Sequence, residues 1–180
     1  MKNVEVVLVT GMSGAGKSTA MAIFENMGYY CIDNYPVALL EQFGDYLLDE
    51  TLGGKIAMGI YLGDALQAIR ELTNMDWINL TVVFLDCENM EILKRYKQTR
   101  RSHPMMIMNK ANTLYDSIEL ERQEYEQIKT QADLIIDTTL LKRTALQDRL
   151  EASQADGTSK KMETVFTSHV ALAGFTEQVR

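Results

Sequence analysis

Apolar residues cluster in five short runs, Val4 to Val9, Tyr29 to Ile32, Ile56 to Leu62, Leu80 to Leu85 and Leu134 to Ile136, each nearly continuous rather than alternating. A strand wetted on one face alternates apolar with polar positions, so unbroken runs predict strands covered on both faces. Between them the chain reads as helical over 17–27, 36–48, 65–74, 90–98, 113–131 and 144–152. In the fifth of these, Leu114, Ile118, Tyr125, Ile128 and Ala132 form an apolar stripe at three- and four-residue steps. Strands alternating with helices predict a three-layer α/β fold, a mostly parallel sheet with helices on both faces. Right-handed crossovers then bring the loops that follow the strands to one edge, where ligands bind in such sheets.

Two segments break the pattern. Residues 102–112 (SHPMMIMNKAN) have no clean period and read as a mobile flap. Residues 153–161 (SQADGTSKK) read as a linker, and METVFTSHV after them as one more strand. The expected organisation is a domain over 1–152 followed by a linker and strand-like tail over 153–180.

Charge changes this picture in one place. The net charge of −7 argues against RNA coating the surface, yet residues 92–115 hold six of the 18 Lys and Arg and none of the 25 acids. The six are Lys94, Arg95, Lys97, Arg100, Arg101 and Lys110. With only Cys31 and Cys87, each in an apolar run, buried reduced thiols are expected. No apolar run approaches the roughly 18 residues a membrane-spanning helix needs, and the expectation is a cytoplasmic protein without membrane contact.

Gly11-Met12-Ser13-Gly14-Ala15-Gly16-Lys17-Ser18 matches GxxxxGK[ST] at every fixed position, between a strand and a helix. Glycines permit a tight loop whose N–H groups converge on phosphate oxygens, and the helix beginning near Lys17 adds its positive end. Residues Gly11 to Thr19 are therefore expected to bind a nucleoside triphosphate, with Lys17 reaching the β and γ phosphates and Ser18 presenting its hydroxyl to Mg²⁺. The alternative is a glycine-rich turn that binds nothing.

A metal-bound nucleotide also needs a nearby carboxylate, normally at a strand end. Asp33, Asp86 and Asp137 each close a predicted strand, and Asp33 is the preferred candidate; each also suits an ordinary turn. Arg100 and Arg101, at a predicted helix end before the flap, are candidates to neutralise charge on a transferring γ phosphate, against plain helix-end electrostatics. Glu121 falls within the apolar stripe and either pairs with a flap cation or snorkels at its edge, the second being favoured. His103 reads as a loop residue, and His169 has no informative context.

Taken together, GMSGAGKSTAMAIFENMGYYCIDNYP at 11–36, FLDCENMEILKRYKQTRRSHP at 84–104 and SIELERQEYEQIKTQADLIIDTT at 117–139 resemble the N-terminal domain of the RapZ family of RNase adapter proteins. The resemblance implies a P-loop fold with ATP- and GTP-binding activity. Where family members carry an Asp-hydrophobic-Arg segment assigned to guanine nucleotides, this chain has Tyr61-Leu62-Gly63-Asp64, which favours ATP and slow hydrolysis. The family's C-terminal domain, to which RNA binding is attributed, is not matched, so RNA binding is not expected. The leading expectation is a regulatory ATP-binding module, with GTP as alternative ligand, and with a protein partner and an oligomer compatible. A small-molecule kinase and a non-hydrolysing interaction module are the rivals.

Overall fold

The computed structural model describes residues 4–47 and 54–155. Five strands, β1 (Val4–Gly11), β2 (Tyr30–Asp33), β3 (Lys55–Gly59), β4 (Ile78–Asp86) and β5 (Leu134–Asp137), pair in parallel in the order β2-β3-β1-β4-β5. β1 lies between β3 and β4, and Val6, Val7, Leu8 and Val9 are fully buried. That double coverage explains the unbroken run of apolar residues.

The helices are α1 (Lys17–Asn26), α2 (Leu40–Leu47), α3 (Leu62–Thr73), α4 (Asn89–Thr99), α5 (Pro104–Ile107), α6 (Leu114–Lys129) and α7 (Arg143–Ala155). The crossover through α1 runs from β1 outward to β2, whereas the one through α3 runs from β3 the other way to β4, so a common right hand sends them to opposite faces. α7 packs beside α1, while α6 packs beside α3 and α4. Phe84 of β4 meets Tyr125 of α6 edge-on, with ring centroids 5.3 Å apart, within the range such pairs favour.

Several local expectations shift. Pro36 opens a 3₁₀ turn over Val37–Leu39, and α2 begins only afterwards; proline supplies no N–H but a preset φ, here −64°. The apolar run ending at Leu62 is strand only to Gly59, because Ile60 and Tyr61 turn the chain into α3. An apolar run alone cannot separate a strand from the first turn of the helix that follows.

The segment expected to be a mobile flap is instead seated. His103 and Met105 are buried, and His103 caps α5 by accepting the Met105 N–H on Nδ1 at 3.2 Å. Of the expected linker, Ser153, Gln154 and Ala155 are instead helical, and the Tyr29 hydroxyl donates to Gln154 Oε1 at 3.0 Å; its remaining residues lie outside the described ones. The predicted tail strand and His169 lie outside the described residues. Of the cysteines, Cys87 is buried and Cys31 only half-buried, correcting the expectation for the latter.

Candidate functional site

β1 delivers the loop from Gly11 onward to the carboxyl edge of the sheet. A Cβ on Gly11 would stand 2.1 Å from the Leu85 carbonyl oxygen, and its φ is +135°, so only glycine lets β1 run this close to β4 as it enters the turn. Gly16 caps α1 in the left-handed region, at φ 103°.

Three contacts from distant parts of the chain hold the loop. Arg95 of α4 donates from Nη1 to the Gly14 carbonyl at 3.0 Å and from Nη2 to the Thr138 carbonyl at 2.8 Å. The Thr138 hydroxyl donates to the Ala15 carbonyl at 2.7 Å. Glu121 of α6 accepts from the Ser13 N–H at 3.0 Å and from the Ser13 hydroxyl at 2.5 Å.

The Ala15 N–H bonds the Met12 carbonyl and the Ser13 N–H bonds Glu121, while the N–H groups of Gly14, Gly16, Lys17, Ser18 and Thr19 have no protein acceptor among the described residues. All five residues line one cavity of about 630 Å³. Unpaired amides converging at a helix N-terminus form an anion site.

Lys17 lies in the same cavity, its Nζ donating to the Gly11 and Met12 carbonyls at 2.5 and 3.1 Å. Burial pulls its pKa down to about 8, against the attraction of Glu121 and Asp33, which raises it. The Tyr61 ring stands over this ammonium, 5.8 Å from Nζ to centroid.

Asp33, at the end of β2, is exposed and lines the cavity with Ser18. Its carboxylate packs onto Gly59, where an added Cβ would fall 2.4 Å from Oδ1. Asp86 is occupied elsewhere: Arg122 Nη1 and Lys129 Nζ donate to its two oxygens at 2.8 and 2.7 Å, and it does not line the cavity. Burial would raise its pKa, but hydrogen bonds from Lys129 and Arg122 outweigh that and hold it low. Asp137 accepts from the Thr139 N–H and hydroxyl in a turn.

Arg101 lines the cavity, whereas Arg100, in the left-handed region at φ 53°, ends α4 outside it. Met12 is fully buried beneath the loop rather than facing the cavity, and Gly11 likewise lies below it.

Sequence reasoning missed Arg95 and Thr138, because their roles depend on the loop and the β5 end meeting through the sheet order. It also favoured a snorkelling Glu121. That carboxylate is only 2% exposed and lies 3.2 Å from Nε2 of the equally buried His103, off the N–H line. Burial would raise its pKa, but the adjoining His103 ring, the hydrogen bonds from Ser13 and the charge of Lys17 hold it below the ordinary range.

A parallel sheet with helices on both faces and a glycine-rich phosphate loop at its carboxyl edge define the P-loop nucleotide-binding class. The RapZ-like N-terminal domain matches residues 4–157, and the chain belongs to that family.

A nucleotide-binding protein of Agathobacter rectalis is 42% identical over 153 residues, covering 81% of this chain and 51% of that protein. One of Lactiplantibacillus plantarum is 34% identical over 163 residues, covering 85% and 54%. The chain thus spans little more than half the length of these relatives.

Among solved structures, shikimate kinase from Bacteroides thetaiotaomicron superposes with a TM-score of 0.53 at 16% identity, covering 84% of this chain and 97% of that one. The YorR protein of Bacillus subtilis, in complex with phosphorylated GDP, gives 0.52 at 12%, covering 83% and 95%. At such identities the likeness concerns the fold. Among the described residues no helix is long and apolar enough to cross a membrane.

Proposed function

We propose that this chain binds ATP, with GTP as the weaker ligand, in complex with Mg²⁺, and hydrolyses it slowly as a cytoplasmic regulatory module. The observation that carries this reading is the row of unpaired N–H groups from Gly14 and Gly16 to Thr19 facing one cavity with Lys17. A phosphate chain satisfies all of them together, and the ammonium of Lys17 adds charge where the β and γ phosphates lie.

Ser18 and Asp33 both line that cavity with side-chain oxygens, which suits Mg²⁺, an ion that keeps most of its water and takes few protein ligands. Ser18 would hold it directly and Asp33 through water. Among the described residues no group of three His, Cys, Asp or Glu is placed to cage an ion, so phosphate oxygens would complete the shell. When bound, the ion neutralises charge on the triphosphate. The chain's own part is to orient the phosphates through the loop amides and to supply Arg101 against the charge that develops on the γ phosphate. Arg100, outside the cavity, supplies helix-end electrostatics.

Titration calorimetry with Mg·ATP and Mg·GTP, followed by phosphate release in water, tests this. The expected result is saturable binding with ATP favoured, and slow release that Arg101→Ala lowers about tenfold while Arg100→Ala leaves it unchanged. Absence of binding at millimolar nucleotide overturns the reading.

The cavity also extends past Ser18 to Asp33, Ile60 and Tyr61, which leaves room for a second ligand and supports a small-molecule kinase as the second reading. Release that requires an added acceptor would favour it.

A further inference from the structure

We propose that Glu121 is a positioning residue, joining the phosphate loop to α5 so that an anion gripped by the loop sets Arg101 in place above it. The inference rests on the nucleotide reading and adds a coupling that reading does not need.

Ser13 is bonded to Glu121 twice, through its amide and its hydroxyl. It immediately precedes Gly14, which lines the cavity and whose N–H has no protein acceptor among the described residues, so a shift of the Gly14 amide on anion binding reaches Glu121 through a single residue. On the other side stands His103. Its Nδ1 accepts the Met105 N–H, which assigns the proton of the neutral ring to Nε2.

That Nε2 is fully buried, and its one neighbouring acceptor among the described residues is Glu121 Oε2, 3.2 Å away but off-line. A buried donor left this way is destabilising, and a small displacement of Glu121 or the loop would align it. The Tyr96 ring packs on His103 at 5.1 Å between centroids, and a Cβ on Gly14 would meet Tyr96 at 3.1 Å, so the end of α4 belongs to the same cluster. Arg101 and Ser102 occupy the short span between α4 and His103 and line the cavity. Where His103 sits decides where Arg101 reaches.

Glu121 could instead serve only to offset the charge of Lys17 and fill space. Hydrogen exchange read by mass spectrometry separates the two. The reporters are the amides of α5 and the turn after it, since Met106 and Ile107 bond the His103 carbonyl, Met108 bonds Pro104, and Lys110 bonds Met105.

The full chain is compared with and without saturating Mg·ATP, alongside Glu121→Gln and His103→Asn. The first keeps the volume but cannot accept from both Ser13 groups and His103. The second keeps a capping acceptor for α5 yet is too short to reach Glu121.

The expected result is that ATP slows exchange at 106–110 about fivefold or more in the wild type. Both variants, calorimetrically saturated with ATP, should lose that slowing. Retention of the slowing in either variant overturns the proposal, as does no slowing in wild type that binds ATP. A merely structural role would speed exchange equally with and without nucleotide, which also overturns it. If Glu121→Gln fails to melt cooperatively, His103→Asn, acting from the other end, decides. Failure of ATP to bind at all is seen separately in the calorimetry and removes the nucleotide reading itself.

Discussion

At Lys17 two electrostatic effects oppose each other. Burial lowers its pKa to about 8, while Glu121 and Asp33 draw it upward, so at neutral pH the ammonium is charged but held by loop carbonyls rather than by water. A triphosphate offers that ammonium a stronger partner. Lys17→Ala should therefore weaken ATP binding at least tenfold, about 1.4 kcal/mol, and an unchanged dissociation constant by calorimetry would remove Lys17 from the site.

Asp86 shows the contrary case, a strand-end carboxylate with a structural role. Its pKa is lowered below 3.8 because bonds from Lys129 and Arg122 outweigh burial. Its contribution is thus complete above the unfolded-state value and is lost as pH falls through the folded one. Asp86→Asn should cost about 2 kcal/mol near neutrality, since both cations are partly solvated and soften the loss. In urea unfolding the gap to wild type should narrow as pH drops below about 4; a gap constant with pH would mean that the ion pairs contribute nothing. The sequence offered Asp33, Asp86 and Asp137 as strand-end candidates, with Asp33 preferred. Only the positions of Arg122 and Lys129, about two and four turns along α6, withdraw Asp86 from the cavity.

At the scale of elements, the junction of β1 and the phosphate loop depends on a missing side chain. Gly11 runs against Leu85 with a positive φ, so Gly11→Ala meets both backbone strain and a steric overlap that no rotamer relieves. The expected loss is about 3 kcal/mol or more, read as a lowered urea midpoint, together with loss of ATP binding as the loop is pushed from β4. If the variant keeps wild-type stability, β1 and β4 are not as close there as described.

Element types were largely legible, because five apolar runs report burial on both faces and a glycine-lysine-serine turn reports the loop. Element boundaries were less so. Pro36 divides one predicted helix into a 3₁₀ turn and α2, and residues 102–112, without any period, nonetheless pack, because two buried side chains anchor them. Periodicity detects a long face against a core; it is blind to a four-residue helix held by His103 and Met105.

For the molecule as a whole, the loop is stabilised from α4, α6 and the end of β5 at once, so a ligand that completes it should stabilise the entire domain. With ATP at a hundred times its dissociation constant, about 2.7 kcal/mol is gained. For a chain of this size that corresponds to a rise in Tm of about 5–10 °C. Thermal scans with Mg·ATP should show the rise, and Lys17→Ala at the same nucleotide concentration should show little. No rise in wild type under saturation would mean that ATP binds folded and unfolded chain alike.

What the sequence by itself determined was local in origin: which runs are buried, where a phosphate loop turns, and which residues carry charge. Those properties reside in neighbouring residues, and the motif draws its backbone amides, its lysine and its serine from within nine positions. The tertiary structure alone decided which of three aspartates reaches the cavity, that Arg101 rather than Arg100 faces it, and that Arg95, Thr138 and Glu121 brace the loop. Each of those contacts joins residues far apart in the chain, and their meeting depends on the order in which the strands lie side by side. No local pattern encodes that order, because it emerges only when every apolar run has found its neighbour.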